Sequence, residues 1–223
     1  MNNHKTRRFL AVLSGAIMAA AFFTGCSKQE TPPSLAPSVA PVQSQGIDEA
    51  DMEHMLPVLE GIALALESGI EYDAKNPEAV WEILYYVAYN NGAKGAEAVA
   101  GEDGTLAVSE DLMERYAAAC FEGMEELPKV AGNMVTFDEK TEIYTLKASD
   151  KGEAYGKIHA AETVTKGLYR AAVNLFAGDD ELPYDQYEFT LVDSKDDDGG
   201  QPSFAYSVRS AAILKMDPGS MAR

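Results

Sequence analysis

Basic side chains are scarce in this chain: 18 lysines and arginines stand against 36 aspartates and glutamates, a formal net charge of −18 over 223 residues. Phosphate binding depends on clustered lysine and arginine, so this balance excludes nucleic acid as a partner. It argues equally against electrostatic adhesion to anionic lipid, and its simplest consequences are solubility and colloidal repulsion. Histidine is also rare, with only His54 and His159 beyond the first 25 residues. Each reads as a surface or partly buried side chain rather than a general base. The sequence contains no zinc-spaced ligand set, nucleophile elbow or phosphate-cradling glycine loop. The apolar run from Phe9 to Phe23 is shorter than the roughly 20 residues that a membrane-spanning helix needs. Cysteine is confined to Cys26 and Cys120.

What the chain does have begins with a basic start (Lys5, Arg7, Arg8), that apolar run, and the small residues Thr24 and Gly25 immediately before Cys26. A positive end, an apolar stretch and small residues at a cleavage site are the parts of a secretory signal. The segment resembles the lipobox of bacterial lipoproteins, departing from it at Phe23, where an aliphatic residue is the rule. The resemblance implies that residues 1–25 are a signal peptide and that Cys26 becomes the mature amino terminus, with its thiol carrying a diacylglyceryl group. The membrane is then a partner through lipid, since multiple acyl chains anchor stably where one does not. Ser27 in place of aspartate leaves two addresses: the outer face of a Gram-positive cell membrane, or an outer membrane. With Cys26 consumed, Cys120 has no disulfide partner, and the core must supply the stability by itself. Cys120 lies in the apolar stretch Tyr116–Phe121 and reads as a buried thiol rather than a nucleophile.

Residues 26–46 are small and polar with Pro32, Pro33, Pro37 and Pro41, the composition of an extended tether. Residues 47–214 are long enough for one domain, and Asp217, Pro218, Gly219 and Ser220 mark 215–223 as a loose tail. The first half of the domain reads as three helices. Met52, Met55, Leu56, Leu59, Ile62, Ala63 and Leu66 repeat at helical spacing, with Pro57 expected to kink the helix or to mark its true first turn. Asn76 and Pro77 suit the cap and first position of the second helix, and Ser109 followed by Glu110 and Asp111 suits the start of the third. The second half reads as strands at Ile143–Leu146, Tyr155–Val164, Leu168–Phe176, Tyr187–Val192 and Phe204–Leu214, rich in aromatic and β-branched residues. The expected class is α+β, with about three N-terminal helices packed on a C-terminal antiparallel sheet of four to five strands.

This element order is similar to nuclear-transport-factor-2-like and cystatin-like domains, which implies a curved sheet that wraps helices and leaves a conical pocket. Gly69–Asn91, with Tyr72, Asp73, Pro77 and Trp81, and Tyr206–Ser210 near the end also resemble segments of uncharacterised lipoproteins of Gram-positive anaerobes. That family carries no assigned activity. Lining for such a pocket is expected from Trp81, Tyr85, Tyr169, Phe189 and Tyr206, because ligand sites are concave and mostly apolar with few polar groups.

The acidic stretch with Asp193, Asp196 and Asp198 offers carboxylates to a calcium ion; the helical-loop calcium pattern fails there, and a solvated hairpin explains the same residues. Asp179, Asp180 and Glu181 form a second acidic tip, expected at the same end of the sheet. No cofactor is otherwise implied. The reading that follows is a lipid-anchored extracytoplasmic module that binds an envelope protein or a small ligand without catalysis. One alternative is a hydrolase acting on cell-wall or carbohydrate material through one raised and one ionised carboxyl, which a buried acid pair in a cleft would favour. The other is a purely structural envelope protein.

Overall fold

The computed structural model describes residues 47–92, 98–101, 103–148, 154–194 and 204–214. Helix α1 spans Glu49–Glu67, and the Asp48 side chain caps it by accepting a hydrogen bond from the Ala50 N–H at 2.8 Å. Pro57 lies inside this helix, so it does not mark the first turn. Its carbonyl accepts a hydrogen bond from Asn90 Nδ2 at 3.2 Å, which ties the proline turn to helix α2, Pro77–Gly92. That second helix starts as its sequence predicts, with Asn76 Oδ1 accepting from the Glu78 N–H at 3.1 Å. Helix α3 spans Glu110–Cys120, and Ser109 Oγ accepts from the Leu112 N–H. Helices α1 and α2 approach closely at Gly61, where a Cβ would sit 2.7 Å from the Val87 Cα. Only glycine permits that approach.

Two four-stranded antiparallel sheets accompany the helices, so the class is α+β. The smaller sheet holds β1 (Val99–Ala100), β2 (Leu106–Ser109), β3 (Val135–Asp138) and β4 (Ile143–Leu146) in the order β1-β2-β4-β3. The expected single sheet is thus corrected to two, and Ile143–Leu146 belongs to the one that the sequence reading missed. The miss has a local cause. A strand of two residues shows no period, and Leu106–Ser109 alternates over four residues only before running straight into helix α3.

The larger sheet is a meander of β5 (Ala154–Thr165), β6 (Leu168–Ala177), β7 (Asp185–Asp193) and β8 (Tyr206–Leu214). Its period-2 pattern was legible: Ala171, Val173 and Leu175 on β6 and Tyr187, Phe189 and Leu191 on β7 are all fully buried, while Arg170, Asn174, Glu188 and Thr190 point the other way. Strand β8 begins later than expected, and Phe204 instead stacks on the His54 ring at 5.0 Å between centroids. Strand β5 carries a bulge, because Ile158 pairs with Val173 and Ala160 with Ala172, leaving His159 without a partner across the ladder.

Since β6 to β7 and β7 to β8 are consecutive hairpins, their loops lie at opposite ends of the sheet. The acidic turn at Asp179–Glu181 therefore does not share an end with Asp193, which corrects the expectation that both acidic tips meet.

Candidate functional site

Helix α2 carries Trp81 and Tyr85 into the core. Trp81 Nε1 donates to the Pro128 and Lys129 carbonyls, each at 3.1 Å, and its ring tilts against Tyr144 at 5.0 Å. Tyr85 donates to the Lys147 carbonyl at 3.0 Å. Both polar tips are thus matched to backbone acceptors, as buried indole and phenol groups require. Phe189 is fully buried on β7. Tyr169 and Tyr206 meet edge to face at 4.9 Å, so this pair of the five predicted lining residues is brought together. None of the five lines either of the two clefts described next.

The larger cleft, about 430 Å³, lies between the first turns of α1 and strand β5. One wall comes from α1. Met52 and Leu56 form an apolar row and Glu49 and Glu53 an acidic one, each pair one helical turn apart. Ile47, just before the Asp48 cap, closes one end. The other wall is Lys157, Ile158, His159, Ala160 and Ala161, five successive residues of β5. Successive side chains of a strand point to opposite faces, so a cleft reached by all five is reached by the strand's backbone edge. Strand β5 is an edge strand, paired with β6 on its other side. The Lys157 ammonium lies over the Phe176 and Tyr155 rings at 4.8 and 5.2 Å from their centroids. Glu49 and Glu53 outnumber Lys157 among the formally charged residues of the lining, so the rim is net acidic. Gly156 permits the close packing at the foot of this cleft, because a Cβ there would meet the buried Glu60 side chain at 3.1 Å.

A smaller cleft of about 270 Å³ runs between the end of α3 and the turn between β5 and β6. Glu122 and Arg209 form a two-pronged ion pair across it at 2.6 and 2.7 Å. Asp193 lies in the same cleft and accepts a 2.7 Å hydrogen bond from Tyr169, whose hydroxyl this bond, burial and the carboxylate's charge push up to about 12. Ser207 Oγ donates to the Ala118 carbonyl at 2.7 Å. Of the calcium candidates, Asp193 is thus engaged with Tyr169, while Asp196 and Asp198 lie outside the described residues. Among the described residues, no group of three or more His, Cys, Asp or Glu is placed to hold a metal.

Acid pairing does occur, but elsewhere. At the end of α1, burial first and then the neighbouring Glu67 carboxylate push Asp185 above the ordinary aspartate range. Neither residue lines either of these two clefts. Cys120 is fully buried, and burial pushes its thiol well up, the opposite of an activated nucleophile. His159, an unremarkable surface side chain in the sequence, stands at the β5 bulge beside the larger cleft. The cleft's α1 wall was missed because Met52 and Leu56 belong to the same stripe that fills the core.

Comparison with family models, curated proteins and solved structures finds no match. The functional reading therefore rests on the chain's own residues.

Proposed function

We propose that this chain is a lipid-anchored extracytoplasmic binding module, tethered through Cys26 and acting without catalysis of its own. The cleft between α1 and β5 is the observation that carries the reading. It combines apolar lining from Met52 and Leu56, a net acidic rim and an accessible strand edge, a combination suited to holding a ligand or partner. The anchor is supported by the basic start, the apolar run and the position of Cys26; among the described residues, no helix is long and apolar enough to cross a membrane.

In this reading α1 and α3 form a layer over one face of the larger sheet. Its supports are the contacts of α1 with β5, β6 and β8 and of α3 with β8, and the row of buried residues on β6 and β7.

Two measurements test the proposal. Cys26→Ser should release the protein from the membrane fraction; retention of the variant on the membrane would reject the anchor. Thermal unfolding against calcium, glycans, peptides and small envelope metabolites should show a rise in Tm with one class, because a ligand that binds only the folded state stabilises it. No rise with any class would reject a ligand-binding role.

A further inference from the structure

We infer that the cleft between α1 and β5 receives an extended peptide segment of a partner protein, with basic residues at every second position, added as a further strand to β5. The inference rests on the binding-module reading and names the partner's chemistry.

Three observations converge on it. First, five successive β5 residues face the cleft, which presents the strand's backbone edge. Among the described residues, no backbone hydrogen bond joins that edge to another segment. An open edge is a template for one more strand, and the bulge at His159 confines regular pairing to the residues on either side of it. Second, the opposite wall repeats at a strand's own interval. Glu49 to Glu53 and Met52 to Leu56 are each one helical turn apart, about 6 Å along the axis, and alternate residues of an extended peptide repeat at about 6.6 Å. Only one of the peptide's two alternating sets of side chains points toward α1, so lysine or arginine in that set meets the two carboxylates while its methylene stem lies along Met52 and Leu56. Third, Glu49 and Glu53 outnumber Lys157 among the formally charged residues of the lining, and the Lys157 ammonium lies over the Phe176 and Tyr155 rings, so the net field of the cleft favours a basic ligand.

Other occupants fit less well. A second copy of this chain would bring another −18 charge to an acidic rim. The chain's own residues 26–46 offer Lys28 as their single basic residue and contain four prolines, which lack the N–H that a ladder needs.

The test titrates the full chain in detergent with acetyl-Lys-Val-Lys-Val-Lys-amide, with the Glu-Val-Glu-Val-Glu counterpart, and with a lysine peptide N-methylated along one edge. The lysine peptide should bind and slow hydrogen exchange at the outward amides of residues 157–161. The other two peptides should not bind. The double variant Glu49→Gln, Glu53→Gln, folded by circular dichroism, should bind the lysine peptide about tenfold more weakly, the worth of two exposed ion pairs. Equal binding of the lysine and glutamate peptides, or of the N-methylated one, would overturn the inference. So would outward β5 amides already protected in the free chain, which would show the edge covered by the chain itself or by a second copy. If the lysine peptide fails while another ligand raises Tm, this inference falls and the binding-module reading stands; if nothing binds, both fall.

Discussion

Tyr187 donates a 2.6 Å hydrogen bond to Glu67, joining β7 to the last residue of α1. Tyr187 is fully buried, and burial first, then the Glu67 contact, pushes its hydroxyl well up, so it stays protonated as the donor. Tyr187→Phe should destabilise the fold by about 1–2 kcal/mol, the range for a bond to a charged acceptor that water partly screens. Urea unfolding of the two proteins checks this, and an unchanged midpoint would show the bond to be idle.

Asp185 sits beside that bond, and its folded carboxyl is raised by burial and by Glu67. A group that holds its proton more tightly when folded contributes stability below its unfolded pKa, and the contribution is lost as pH rises through the folded pKa. Asp185→Asn removes this dependence. The variant's Tm should therefore exceed that of the parent near neutrality, with the gap narrowing as pH falls into the carboxylate range. A gap that widens on acidification would contradict the arrangement.

Tyr72 places one hydroxyl 2.7 Å from the Cys120 carbonyl and 2.8 Å from the Val208 carbonyl, bridging the end of α3 to β8. Tyr72→Phe leaves both part-buried acceptors without that donor and should cost about 1–3 kcal/mol. Denaturant unfolding measures the loss, and hydrogen exchange should localise it to α3 and β8.

Gly61 admits no side chain against α2. A Cβ would lie 2.7 Å from the Val87 Cα, 2.8 Å from its Cγ2 and 2.9 Å from its backbone N. Gly61→Ala should cost about 1–3 kcal/mol through overpacking. Adding Val87→Ala should recover only part of the loss, since two of the three close atoms are backbone. Full recovery in the double variant would show that only the valine methyl matters.

Cys120 is buried in the core. In the Cys26→Ser protein, a thiol reagent at neutral pH should leave Cys120 unmodified until denaturant is added. Rapid labelling of the native protein would contradict the burial.

How much of this was legible depended on range. The helix starts at Asn76–Pro77 and Ser109 and the alternation of Ala171, Val173 and Leu175 are local patterns, and each appears in the fold. The smaller sheet was missed because Leu106–Ser109 and Val135–Asp138 are too short for a period to show. Two of the expected lining residues, Trp81 and Tyr85, are tied into the core by contacts of a different range. The polar tips of Trp81 and Tyr85 are met by the carbonyls of Pro128, Lys129 and Lys147, loop groups that no local pattern places.

By itself the sequence determined the α+β class, the meander and the acidic balance, because propensity, capping and hydrophobic period act over a few neighbouring residues. The tertiary structure alone decided that the strands divide into two sheets, that the Asp179–Glu181 turn and Asp193 lie at opposite ends, and that Glu49, Met52, Glu53 and Leu56 face β5 across a cleft. Those relationships join residues far apart in the chain, and only packing brings them together.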